Sequence, residues 1–195
     1  MRKAFKDPAS KIIVDNLKYI PGNSANNKKI TEILLKEQKQ FCAYTDEYLS
    51  RTASPDIDHF DPTLKNTPAD NYYNWFLVKH QWNIEKSDKW KKFQSILHPT
   101  ADDFEERIIY KEGDYFTKSK LDLEAQNLID LLKLDDVELA DERKKYIRRK
   151  QQDMEAYDQD ELTFFNILIN CDSCSVSYPR AIKEEFGIDI WAMID

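Results

Sequence analysis

Residues 54–60 read SPDIDHF and place two aspartates and one of the chain's three histidines within four positions. Period-two alternation sets Asp56 and Asp58 on one side of a strand and Ile57 and His59 on the other. A carboxylate offers the hard oxygen atoms that suit Mg²⁺ or Mn²⁺ better than zinc. An imidazole with an ordinary pKa near 6.5 can take a proton at neutral pH. Further along, Asn83 opens the tract NIEKSDKW and supplies a second oxygen ligand. One ion held by Asp58 and Asn83 leaves most of its octahedron to water and to substrate phosphate, which is how Mg²⁺ usually sits in phosphoryl-transfer sites. Asp56 shares the side of Asp58 and is either a further ligand or a surface acid. His80, in a loop, is either a phosphate contact or an exposed side chain.

The elements that must hold these groups follow from the rest of the pattern. The chain has only three glycines, so few turns demand positive φ and helices are favoured. Helical spacing recurs at Ile12, Ile13, Asn16, Leu17 and Ile20, closed by Pro21 and Gly22. It recurs again at Ile30, Ile33, Leu34 and Phe41, with Asn27 as the expected cap. Residues 42–82 are aromatic and broken by Pro55, Pro62 and Pro68. A helix resumes near Asn83 with Ile84, Trp90, Phe93, Ile96 and Leu97, and ends before Pro99. His98 is expected to cap it. RIIYKEGDYFTKS reads as a hairpin turning at Glu112 and Gly113. Leucine-rich helices are expected over 121–134, 137–157 and about 160–170. The aromatic rings of 72–82 read as core, with base stacking as the alternative.

With 195 residues and 41% hydrophobic content, the chain is long enough for a real core. A net charge of −7 argues against a protein that grips nucleic acid through bulk positive charge alone. The best local candidate for phosphate contact is the tract DERKKYIRRKQQ. There Lys144, Lys145, Arg148 and Arg149 share one helical stripe, opposite Leu139, Tyr146, Ile147 and Met154. The alternative is a solvated face. No apolar run is long enough to span a membrane. The N-terminus lacks the apolar stretch of a secretory signal. Cys42 stands alone, and Cys171 and Cys174 form one CxxC, read as a pair of buried thiols. Three cysteines in such a chain point to a reducing cytoplasm.

The set DIDHFDP, NWFL and NIEKSDK resembles the HNH, or ββα-metal, nucleases. The resemblance implies that Asp58 is a metal ligand, His59 the general base, Asn74 the loop organiser and Asn83 the second ligand. Lys86 matches a position that is often Lys in that family, where it could steady the site or contact a phosphate. LLKEQKQFCAYTDEYL, ILHPTADDFEERIIYKEGDYF and LIDLLKLDDVELADERKK extend a looser similarity to the PtuB-like HNH subunits of Septu-type anti-phage systems. That similarity implies a larger, PtuA-like ATPase partner and a DNA or tRNA substrate. Relatives hold the fold with zinc between two CxxC pairs, but here Thr45, Lys79 and Trp82 stand where three of the positions fall. No structural zinc is expected, because one cysteine cannot supply four ligands. Packing of Tyr44, Tyr48, Trp75 and Trp82 is expected to replace it.

The expected architecture is α+β and mostly helical. It has an N-terminal helical segment over 1–40, a ββα-metal core over 41–98, and a hairpin with C-terminal helices over 99–195, in one compact unit. The expected activity is metal-dependent hydrolysis of nucleic-acid phosphodiesters with one Mg²⁺ or Mn²⁺ ion. The alternative is a catalytically silent binding or structural subunit with the same shell.

Overall fold

The computed structural model describes residues 1–50 and 52–194. About 51% of the chain is helical, and two small antiparallel sheets complete a mostly helical α+β fold. A four-residue helix, α1 (Lys11–Val14), is followed by α2 (Ser24–Glu37). Next come β1 (Asp56–His59), β2 (Trp75–Val78) and α3 (His80–Lys86), which runs on as a 3₁₀ segment over Ser87–Phe93. After a short α4 (Phe104–Arg107), β3 (Ile108–Lys111) and β4 (Asp114–Thr117) form the second hairpin. The helical end of the chain is α5 (Leu123–Leu132), α6 (Val137–Tyr157), α7 (Glu161–Asp172), α8 (Pro179–Phe186) and α9 (Ile190–Met193).

The β1–β2 pair is the platform for the site. Its antiparallel register sets Asp56 opposite Val78, Asp58 opposite Phe76 and His59 opposite Trp75. All four residues of β2 are buried, as expected for a strand covered on both faces. Gln38, just past α2, locks this strand in place. Its Nε2 donates to Leu77 O at 2.8 Å and to Phe41 O at 2.9 Å, while Leu77 N donates to its Oε1 at 2.8 Å. A buried amide satisfied on both ends fixes one geometry, since leaving either end unpaired would be costly. Buried apolar residues from Ile12 and Ile30 through Trp75 and Phe104 to Leu134 form one continuous cluster, while the helices after Leu134 bury two further clusters.

Several elements depart from the sequence pattern for identifiable reasons. The first helix stops at Val14 because Asn16 adopts φ 48°. Asn16 N then bonds Ile13 O and Leu17 N bonds Ile12 O, a Schellman ending that places Leu17 and Ile20 outside the helix. At the start of α2 the cap is Asn23, whose Oδ1 accepts from Asn26 N at 3.0 Å, and not Asn27. Asn27 instead clamps Ile20 through both its amide atoms. The helix expected from Asn83 begins at His80 and is not continued to Pro99. Leu97 N bonds Glu124 O at 3.0 Å, which draws residues 94–98 into an extended path along α5. His98 therefore caps no helix end; it opens a turn, with Ala101 N bonding its carbonyl and its Nδ1 2.8 Å from Thr100 Oγ1. Cys171 and Cys174 are exposed, not buried, because α7 turns its Phe164 and Phe165 inward and leaves its C-terminal end in solvent.

The hairpin turns at Glu112 (φ 48°) and Gly113 (φ 85°), the pair expected to do so. Gly113 also serves packing: a Cβ there would lie 2.6 Å from Ala140 O on α6. Arg143 reaches back from α6 and is fully buried, donating to Gly113 O and, at 2.9 Å, to Leu134 O. It is thus a structural member of the basic run, whereas Lys144, Lys145, Arg148 and Arg149 are exposed.

Candidate functional site

The alternation of β1 separates two halves of the site. On one side, Asp56 and Asp58 face α3, where His80, Asn83 and Lys86 recur at every third residue and so share one helix face. The contacts form a ladder. Asp56 Oδ2 accepts from Asn83 Nδ2 at 2.8 Å and lies 2.8 Å from His80 Nδ1. One step along the strand, Asp58 Oδ2 accepts from Lys86 Nζ at 2.6 Å and from the Tyr44 hydroxyl. Asn83 therefore turns its amide nitrogen to Asp56 and not to Asp58, leaving its carbonyl oxygen directed elsewhere. The outer rung is open, with the His80 side chain 61% exposed, and the inner rung is shut, with Asp58 5% and Lys86 2% exposed.

The inner rung is electrostatically tight. Lys86 Nζ also donates to His59 O at 2.6 Å, so one ammonium ties the metal-ligand candidate to the backbone of the next residue. Burial pulls the Lys86 ammonium below its usual range, and the Asp58 charge offsets part of that. Burial first, and the Asp58 charge second, push the Tyr44 phenol well above its ordinary value, so it stays protonated and donates.

On the other side of β1, His59 packs edge-on against Tyr19, with ring centroids 4.6 Å apart, and is 4% exposed. Its Nε2 lies 3.1 Å from Asp70 Oδ2, off the line of a good hydrogen bond. Asp70 is held firmly: its Oδ1 accepts from Trp75 Nε1 at 2.7 Å and from Asn74 Nδ2 at 3.0 Å. Burial lowers the His59 pKa, and the nearby Asp70 carboxylate counters this in part. The ring is thus neutral near pH 7, the state a base needs. Asn74 is 5% exposed and stitches the loop shut, accepting from Asp61 N at 2.7 Å and donating to Asp61 O at 3.0 Å. It thereby holds both the strand exit after His59 and the Asp70 carboxylate beside the imidazole.

Asp70 escaped the sequence reading, and Tyr44 entered it only as packing and not as a partner of Asp58. Neither has a spacing signature: Asp70 sits in an irregular loop, and Tyr44 reaches Asp58 from beyond α2. The run NTPADNYYN does carry turn residues that foretell a looped-out carboxylate, but nothing in it names the partner.

Cys42, Thr45 and Lys79, at three of the positions where the resemblance implies zinc ligands, lie close together. Lys79 N donates to Cys42 Sγ at 3.4 Å, and Lys79 Nζ pairs with Glu47. Tyr44 and Trp75 are buried, at 0% and 1% exposure, and Tyr48 and Trp82 are half-buried; Trp75 lies on the His59 side of the sheet, near Tyr19 and Asp70.

The rungs carry two carboxylates and one carboxamide, oxygen-bearing groups of the kind a hard divalent cation takes; as placed, Asn83 presents its nitrogen to Asp56 and Asp58 already carries the Lys86 ammonium. Among the described residues no three His, Cys, Asp or Glu side chains cluster as a ligand set. A cation at Asp58 must compete with the Lys86 ammonium. No family model, curated protein or solved structure matches the chain, so the reading of this site rests on its residues and their geometry.

Proposed function

We propose that the chain is a metal-dependent endonuclease of the HNH kind, hydrolysing phosphodiester bonds of DNA or RNA. The observation that carries this is the packing of β1 on α3, with Lys86 on Asp58, Asn83 on the neighbouring Asp56, and His59 next in sequence to Asp58. In this reading Asp58 and Asn83, with Asp56 beside them, hold one Mg²⁺ or Mn²⁺ ion. When bound, the ion supplies neutralisation of the charge that develops on the phosphoryl and leaving oxygens. His59 takes a proton from the attacking water, and the Asp70 carboxylate steadies the imidazolium that results. Asn74 keeps Asp70 and the strand exit in register. Lys86, which pairs with Asp58 here, would be free to pair with a phosphate oxygen were a bound ion to take its place on that carboxylate. The Tyr19 ring must shift for water to reach His59.

In the cell the same reading makes this the nuclease subunit of an anti-phage assembly, working beside a larger ATPase subunit that supplies much of the grip on nucleic acid. The net charge of −7 supports that division of labour. Lys144, Lys145, Arg148 and Arg149 offer a local basic face for substrate or partner. Among the described residues no helix is long and apolar enough to cross a membrane.

A second reading is favoured by one specific observation. Asp58 is capped by both Lys86 and Tyr44, and His59 is covered, so the chain could be a silent subunit that retains the shell. Plasmid, single-stranded DNA and tRNA incubated with Mn²⁺, with and without chelator, separate the two. The nuclease reading expects chelator-sensitive cleavage, reduced about 10²–10⁴-fold by His59→Ala, the usual worth of a general base. A His59→Ala protein that cuts at the wild-type rate refutes it, and a wild type that cuts nothing, alone or with its partner, leaves the silent subunit.

A further inference from the structure

A cavity of about 340 Å³ opens beside the end of β1, at the lower end of the size range of small-ligand sites. Its walls include Phe60, which directly follows His59, and Asn74, which directly precedes the cross-strand partner of His59. Four rings line it: Phe60, Tyr73, Trp90 and His98. Phe60 stands edge-on to Trp90 and to His98, with centroids 5.1 and 4.9 Å apart, so these three hold one another rigid. Tyr73 is different. It is 49% exposed and adjoins buried Tyr72, so it projects at the mouth as an uncovered aromatic face.

The polar groups of the wall are few and have capacity to spare. Gln94 Nε2 is engaged by Trp90 O at 2.9 Å, which leaves its Oε1 as an acceptor. Asp61 Oδ1 is engaged by Thr63 N and Thr63 Oγ1, which leaves Oδ2 as a second acceptor. Thr100 N donates to His98 Nδ1 at 3.3 Å and Thr100 Oγ1 lies 2.8 Å from it; with Nδ1 as acceptor the neutral ring carries its proton on Nε2, a donor. Burial favours that neutral ring. Two acceptors and one donor in an aromatic-lined cavity match the edge of a base with an exocyclic amino group beside a ring nitrogen acceptor. The Asp61 carboxylate repels phosphate and admits an amino group.

The geometry points to this cavity as a subsite for one unpaired adenine or cytosine, stacked on Tyr73 beside the strand that carries His59. The inference rests on the nuclease reading and narrows its substrate class to nucleic acid with an unpaired nucleotide at the cut. A base held in a duplex cannot reach such a slot without leaving its stack.

Binding is measured by fluorescence anisotropy in chelator, where nothing is cut, with labelled oligo-dA, oligo-dC, oligo-dT and the paired dA·dT duplex. Oligo-dA or oligo-dC is expected to bind at least tenfold tighter than oligo-dT and than the duplex. Tyr73→Ala, at an exposed position that the fold tolerates, should weaken the favoured strand about 5–150-fold, the equivalent of one base–aromatic stack. Gln94→Leu should reduce the preference over oligo-dT. Equal affinity for all four, no binding, or indifference to Tyr73→Ala overturns the subsite. The same oligonucleotides are then given Mn²⁺. Cleavage without base preference, unaffected by Tyr73→Ala, retains the nuclease and removes the subsite. Selective binding with no cleavage, alone or with the partner, retains the subsite and removes the nuclease.

Discussion

Replacing Lys86 by methionine removes the ammonium and keeps the stem that packs near Phe60 and Trp90. The Nζ it removes lies 2.6 Å from Asp58 Oδ2 and 2.6 Å from His59 O, and both side chains of the pair are nearly inaccessible. Deleting one partner of a buried ion pair costs about 3–5 kcal/mol, since the other charge is left without compensation. Tyr44 still donates to Asp58, so the lower end of that range applies here, about 3 kcal/mol. A chain of this length loses roughly 2–4 °C of Tm per kcal/mol, which predicts a fall of about 6–12 °C. The second half of the prediction concerns metal. With its cation gone, Asp58 favours a divalent ion, and ligand at a hundredfold excess over Kd restores about 2.7 kcal/mol. Differential scanning fluorimetry with and without Mn²⁺ reads both effects. Mn²⁺ should raise the Tm of Lys86→Met by several degrees more than that of wild type. A variant that melts within about 2 °C of wild type, or an equal Mn²⁺ shift in both, refutes the reasoning that Lys86 holds the place of a cation.

Asn74→Ala breaks the hydrogen bonds to Asp61 and Asp70 at a position 5% exposed, and should cost about 2–4 kcal/mol by urea denaturation; a loss under about 0.5 kcal/mol would show that the loop does not depend on it. Lys6, enclosed by Tyr72 and Phe76, has its pKa lowered by burial from 10.5 to about 7. Between those values the unfolded chain binds the extra proton, so stability should rise with pH from about 7 towards 10 and the slope should flatten in Lys6→Met; an unchanged slope in that variant contradicts the assignment. A thiol reagent should modify exposed Cys171 and Cys174 rapidly and buried Cys42 only on unfolding; three equally fast thiols would contradict the burial of Cys42 against Lys79.

Local periodicity made much of the scaffold legible. The alternation in DIDH sets the two acids against α3 and the histidine away from it, and the Glu112–Gly113 pair turns its hairpin as such residues do. The long helices α5, α6 and α7 follow their leucine and phenylalanine spacing. What was not legible depends on contacts distant in sequence. Leu97 abandons a helical pattern because Glu124 offers its carbonyl, and Asn16 ends a helix that the apolar spacing would have continued. In the site the strand could be read, the helix only in part, since it begins at His80, expected in a loop, and not at Asn83, and the pairing could not. That Asn83 meets Asp56, that Lys86 meets Asp58, and that Asp70 stands beside His59 are consequences of how α3 and the 61–74 loop dock. A one-residue motif carries no trace of such docking.

Crystals soaked in Mn²⁺ and measured for anomalous scattering test the central claim most directly. An anomalous peak at coordination distance from the Asp58 carboxylate and the Asn83 carbonyl oxygen, with the Lys86 ammonium swung away from Asp58, is the predicted result. A map with no peak there and Lys86 still seated on Asp58 contradicts it.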